Sequence, residues 1–218
     1  MMKKLYMLIL ALMTAGLTIL AQTSNDPEAK KVLDAVSAKF KTFKTVKAAF
    51  TYKVENAAGK VLSTKTGTIQ MKGTKYRVSF GGQEIFCDGK TVWNYDKAAN
   101  EVTVSDLDAS AGSITPQKLF TNFYDKDFLY KMNGEKTVAG KTIQEIEMTP
   151  TDKTKPFHKV YLMVDKNAKT INSTRVLEKA GSRYVYGVSS MNTTTPIADN
   201  QFTFDKTKYP GVDVVDLR

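Results

Sequence analysis

From Val46 onward the chain alternates apolar and polar residues, and turn-forming residues cut the alternation into short runs. Val46, Ala48, Phe50, Tyr52 and Val54 point one way, and Lys47, Thr51, Lys53 and Glu55 the other. A period of two is that of a strand with one buried face. Asn56-Ala57-Ala58-Gly59 turns the chain into Val61–Lys72, and Gly73-Thr74 into a run carrying Tyr76, Val78 and Phe80. Gly81-Gly82 leads to Gln83–Cys87, and Asp88-Gly89, a strong hairpin signal, leads to Thr91–Tyr95. Glu101–Ser105, Thr142–Thr149, Phe157–Asp165, Thr170–Glu178 and Arg183–Met191 continue the rhythm. A short run at Gln201–Phe204 and an extended piece at Tyr209–Val215 end it. The pattern predicts a mostly β protein of about ten or eleven strands, an antiparallel meander that curls on itself with helices against one face.

Two segments depart from that period. Asp26-Pro27-Glu28 reads as a helix start, with a capping carboxylate, Pro at the first helical position and an acid at the positive end of the dipole. Ala29, Val32, Leu33, Val36 and Phe40 then form one apolar stripe, which predicts an amphipathic helix over Pro27–Phe40. Between Asp106 and Asp127 the alternation stops. Thr115-Pro116 is a second cap-plus-Pro start, and Leu119, Phe120 and Phe123 cluster at helical spacing behind it. A short helix with aromatic side chains, inserted in a sheet protein, is a candidate lid.

The N-terminus bounds the compartment. Met1-Met2-Lys3-Lys4 is a positive stub, Leu5–Leu20 is apolar, and Ala21-Gln22 offers a small residue followed by polar sequence. This is the pattern of a secretory signal peptide over residues 1–21 rather than of an uncleaved anchor. The expected mature protein is a single domain over residues 22–218 in a bacterial periplasm, and no Cys follows the apolar run to carry a lipid. Without Lys3 and Lys4 the chain keeps thirty basic against twenty-two acidic residues, a net +8. Export argues against nucleic acid as the partner for that charge. Acidic headgroups or an acidic protein fit better, although the basic residues are spread out as on a solvated surface. Cys87 is the only cysteine, so no internal disulfide forms, and its apolar neighbours mark it as a small buried hydrophobe.

Nothing in the sequence argues for catalysis, a cofactor or a metal. His158 is the only histidine, and no Gly-rich phosphate loop precedes a helix. Asp106, Asp108, Asp125 and Asp127 read as loop charges. What remains is an aromatic set that alternation could place on one curved face: Phe50, Tyr52, Tyr76, Phe80, Trp93 and Tyr95. These residues could fill an ordinary core, or line an apolar cavity left where sheet and helices do not quite meet. The residues by themselves leave both readings open.

Several motifs, in order, resemble the periplasmic outer-membrane lipoprotein carrier (LolA-like) family. They are Phe43-Lys44-Thr45-Val46-Lys47-Ala48-Ala49-Phe50-Thr51-Tyr52-Lys53-Val54, Gly67-Thr68-Ile69-Gln70-Met71-Lys72, and Asp88-Gly89-Lys90-Thr91-Val92-Trp93-Asn94-Tyr95-Asp96. Thr115-Pro116 with Leu119, Phe202-Thr203-Phe204 and Pro210-Gly211-Val212-Asp213-Val214 complete the resemblance, which covers nearly all the mature chain. It implies a strongly curved, unclosed antiparallel β-barrel with a helical lid over an apolar cavity. The implied job is to shield lipoprotein acyl chains across the periplasm as a monomer, between an inner-membrane release complex and an outer-membrane acceptor. Rival readings are a carrier of another lipid or glycolipid, an envelope-stress sensor on the same fold, and an esterase, which the missing histidine constellation disfavours. The family often carries Arg-Pro after the second strand and a Trp shortly beyond. Lys72, Gly73 and Val78 stand at those positions here. The family Arg ties lid to barrel, so Lys72 is the candidate latch, with the charge but without the planar fork.

Overall fold

A computed structural model describes residues 25–107 and 124–218. The expected signal peptide and the lid residues Leu119, Phe120 and Phe123 lie outside the described residues.

Helix α1 runs Pro27–Lys41. Its start is fixed as the sequence predicts: the Asp26 carboxylate accepts from the Glu28 and Ala29 amides. Asp26 also accepts from the Met132 amide at 2.8 Å, while its own amide donates to the Tyr130 carbonyl. One residue therefore caps the helix and pins it to the sheet.

The strands are β1 (Val46–Glu55), β2 (Val61–Lys72), β3 (Lys75–Phe80), β4 (Gln83–Cys87), β5 (Thr91–Asp96) and β6 (Glu101–Asp106), followed by the single-turn helix α2 (Tyr124–Asp127). Then come β7 (Phe128–Val138), β8 (Lys141–Pro150), β9 (Phe157–Asp165), β10 (Thr170–Glu178), β11 (Arg183–Asn192) and β12 (Asp213–Asp216). All belong to one sheet, ordered β12-β6-β5-β4-β3-β2-β1-β11-β10-β9-β8-β7. Two meanders, β1–β6 and β7–β11, are joined through the antiparallel β1–β11 pair, and the end strands β12 and β7 do not meet. The sheet is curved and open. At the β4–β5 hairpin, Gly89 takes a positive φ of 98°, and the Asp88 carboxylate accepts from the Lys90 and Thr91 amides. That is why the Asp-Gly pair turns the chain there.

The structure corrects the sequence expectation at three points. Among the described residues there are twelve strands. The additional β7 was hidden because Asn133-Gly134 interrupts its alternation, and the β7–β8 register shifts between Met132 and Gly134. Gln201–Phe204 is no strand, since a 3-10 turn spans Asp199–Phe202. The terminal extended piece pairs as β12 in parallel with β6, so the sheet is not wholly antiparallel.

Residues paired across strands share a face, so register decides which side each row serves. The inner face carries α1. Ala29, Leu33 and Val36 of the helix are buried against Tyr130, Ile146, Met148, Leu162 and Val164 of β7–β9. Each Leu or Val buried this way contributes about 1.5–3 kcal/mol. On the same face the row Val46–Met71–Tyr76–Cys87 forms a second buried cluster. The outer face of β3–β6 is covered by the C-terminal segment, where Val212, Phe204 and Tyr209 pack on Tyr95, Val102 and Trp93.

Candidate functional site

The candidate site is the part of the inner face between the two buried clusters, built by the outer halves of β1, β2 and β11. Phe50 pairs with Gly67, and Gly67 with Phe80, so the three form one row across β1–β3. Gly67 has no side chain, and the Phe50 ring occupies the space. A Cβ added at Gly67 would lie 2.4 Å from the ring edge. The Phe50 and Phe80 rings come together at 5.6 Å. Tyr52 meets Phe80 edge-on at 5.4 Å, lies 5.2 Å from its cross-strand partner Tyr186, and stacks on Tyr184 at 5.8 Å. The result is a continuous aromatic wall of five rings, all partly exposed, with Tyr186 at 43%. Aromatic rings left open to water on a sheet's inner face present apolar area that a ligand can cover.

The polar tips of the wall are phenols. Burial pushes the Tyr52 and Tyr186 phenols above their ordinary range, so both are neutral donors at physiological pH. Tyr184 donates to the Glu178 carboxylate at 3.2 Å. Beyond the wall, a cavity of about 470 Å³ opens between the last turn of α1 and β10–β11. Phe43, Ile171, Val188 and Met191 give it apolar surface, and Lys39, Asn172 and Thr193 give it polar surface. On its rim Asp165 is held below the usual carboxylate range, chiefly by the Ala168 amide, with the Lys141 ammonium 3.3 Å away. Wall and cavity together can accept an elongated apolar molecule with a polar end. Among the described residues, no group of three or more His, Cys, Asp or Glu side chains is placed to hold a metal ion.

Of the six aromatics expected on one concave face, the structure brings three together: Phe50, Tyr52 and Phe80. Tyr76 shares their face but is core. It is 8% exposed beside Cys87, and burial pushes its phenol up to about 12. Trp93 and Tyr95 point the other way. Trp93 pairs with Phe86 and Tyr95 with Glu84, on the outer face. There Tyr95 contacts Phe204 at 5.8 Å and Tyr209 at 4.5 Å. These rings hold the C-terminal segment. Alternation puts β1, β3 and β5 residues on one face only where the strands share a phase; β1 and β3 do, but the β4–β5 register sets Trp93 and Tyr95 out of phase with Phe50 and Phe80. Tyr184 and Tyr186 join the wall without having been among the six, and the alternation in Arg183–Met191 is the sequence signal for them.

Lys72 also sits on the outer face. Its ammonium donates to the Asp199 carboxylate at 2.7 Å and to the Ile197 carbonyl at 3.3 Å, and Lys75 joins Asp199 at 3.0 Å. Among the described residues the Lys72 latch therefore fastens the C-terminal segment. Arg77 acts beside it: it pairs with Glu84 at 2.6 Å and lies 4.6 Å from the Phe86 ring centroid, and Tyr209 donates to the same carboxylate.

Comparison with known proteins agrees with this architecture. The family model described as outer membrane lipoprotein carrier protein LolA matches residues 41–205. The outer-membrane lipoprotein carrier protein of Cupriavidus necator is 30% identical over 168 residues, covering 75% of this chain and 76% of the relative. That of Halorhodospira halophila is 27% identical over 124 residues, 55% of this chain and 56% of the relative. Among solved structures, an uncharacterized conserved protein from Thermus thermophilus superposes with a TM-score of 0.60 at 14% identity, covering 87% of this chain and 99% of that one. MucB superposes with a TM-score of 0.52 at 19% identity, covering 86% and 65%. At such identities the two structures speak for the fold alone. The match over residues 41–205, on an open curved sheet with an aromatic inner wall, places this chain in the outer-membrane lipoprotein carrier family, LolA.

Proposed function

We propose that this protein is a non-enzymatic periplasmic carrier that covers the acyl chains of lipoproteins with its inner wall and moves them toward the outer membrane. The observation that carries this reading is the partly exposed aromatic wall of Phe50, Tyr52, Phe80, Tyr184 and Tyr186 on the inner face of a sheet that does not close. Each CH₂ taken from water is worth about 0.8 kcal/mol, so an acyl chain gains substantially on such a wall. An unclosed sheet lets the chain enter and leave sideways, as a carrier that must release its cargo requires. Family membership supports the cargo class and the periplasmic route between an inner-membrane release complex and an outer-membrane acceptor. The signal-peptide pattern of residues 1–21 supports the compartment.

The test is direct binding of a fluorescent triacylated lipopeptide to the mature protein. Saturable binding is expected, with little for an analogue whose chains are cut to a few carbons. Phe80→Asp and Tyr186→Asp should each weaken binding about tenfold, by placing a carboxylate against the chain. Unchanged binding in both variants would remove the wall from the mechanism.

A further inference from the structure

The two halves of the sheet differ in reach. β3 ends at Phe80, opposite Gly67, so Val61–Thr66 of β2 has a neighbour only in β1. At about 3.3 Å per residue, the β1–β2 hairpin projects roughly 20 Å past the β3–β4 turn. All of Val61–Thr66 is exposed. At its end the ladder skips a residue: Val54 faces Ser63 and Glu55 faces Val61, leaving Leu62 as the extra residue of a β-bulge. A bulge re-aims the side chain it carries. Leu62 is 62% exposed and Val61 47%, a pair of aliphatic side chains presented at the tip.

Neighbouring turns meet this tip. Arg183 donates to the Ala57 carbonyl, and Gly181 lies against Ala57. The Lys179 ammonium donates to the Lys153 carbonyl, so the loop before β9 belongs to the same end. Over residues 53–65, 153–155 and 179–183 the chain carries seven basic residues, against the acids Glu55, Asp152 and Glu178 nearby. Of these bases only Lys155 has a carboxylate within ion-pair distance among the described residues, Asp152 at 3.9 Å. Exposed aliphatic side chains at an end of the molecule where six of these seven bases have no carboxylate within ion-pair distance among the described residues match a membrane surface with anionic headgroups. The aliphatics enter the acyl boundary while the cations stay among the phosphates.

We propose that the β1–β2 tip is a docking site for an anionic membrane surface, separate from the inner wall and independent of which cargo the wall takes. A tip of this kind would bring the end of the sheet that carries Tyr52 and Tyr184 to the bilayer without anchoring the protein there. Two aliphatic side chains give a weak, reversible attachment.

The probe is flotation of the cargo-free mature protein with vesicles of phosphatidylcholine alone or containing about one third phosphatidylglycerol. Capture by the anionic vesicles is expected, with little by the neutral ones and loss in high salt, where the Debye length shortens. Leu62→Glu and Lys60→Glu combined with Lys179→Glu should each lower capture about tenfold while lipopeptide binding stays unchanged. Phe80→Asp should lower lipopeptide binding and leave capture intact. Equal capture by both vesicle types, or full capture of Leu62→Glu, overturns the proposal. So does loss of capture in Phe80→Asp, which would mean that the wall extracts lipid and the tip is idle. Binding of the tip only to a protein, with no vesicle captured, also overturns it.

Discussion

Single residues on this chain act through contacts that fix their neighbours. Gly67 is the clearest case, because the Phe50 ring fills the volume its side chain would take. Gly67→Ala must displace that ring, so we expect a loss of about 1–3 kcal/mol in chemical denaturation together with weaker lipopeptide binding. Adding Phe50→Ala should recover part of the stability but not the binding. Asp26 is the second case. Its carboxyl is held below its ordinary value of 3.8, first by the Met132 amide and then by the helix-start amides. A depressed carboxyl contributes stability that is fully present above the unfolded value and is lost as pH falls through the folded one. Thermal unfolding should therefore be steady near neutrality and fall below about pH 4. Asp26→Asn should lower the neutral-pH midpoint and flatten that acid decline. An unchanged acid profile in the variant would show that other carboxyls govern it.

At the scale of elements, the C-terminal segment is a clasp on the outer face, and this changes what Trp93 reports. The chain's only tryptophan packs in the cluster of Tyr95, Val102 and Val212, on the far side of the sheet from the aromatic wall. Cargo is therefore expected to leave Trp93 emission nearly unchanged. Phe204→Ala, which removes contacts to Phe86, Tyr95 and Tyr209, should shift the emission to the red. Phe204 is only half-buried, so the expected cost is about 2 kcal/mol, less than that of a fully buried Phe. A cargo-induced change as large as that of Phe204→Ala would contradict this placement. Helix α1 supplies the matching test on the inner face. Leu33, 2% exposed, joins the helix to β7–β9, and Leu33→Ala should cost about 2–5 kcal/mol by calorimetry.

Over the described residues, the inner face of the open sheet is covered by α1 across β7–β9 and carries the partly exposed aromatic wall across β1–β3 and β11. Amide exchange should follow that division. Val160–Val164 of β9, under the helix, should exchange slowly, and Val61–Thr66, with one strand neighbour, should exchange fast. Equal protection in the two segments would mean the hairpin is covered in solution. The sequence by itself determined the strands that alternate cleanly, the Asp26-Pro27 helix start, the Asp88-Gly89 turn and the motif order that marks the family. Each of those follows from local backbone preference or from a period within one run. The tertiary structure alone decided the rest. Strand β7 needed α1 and β8 to hold it across the Asn133-Gly134 bulge, and β12 found a parallel partner more than a hundred residues away. Trp93, Tyr95 and Lys72 fell on the outer face because each strand's phase is set by pairing, and a shift of one residue sends a side chain to the opposite side of the sheet. Tyr184 and Tyr186 reached the wall because β11 closes against β1 across the full length of the fold, a pairing no local pattern encodes.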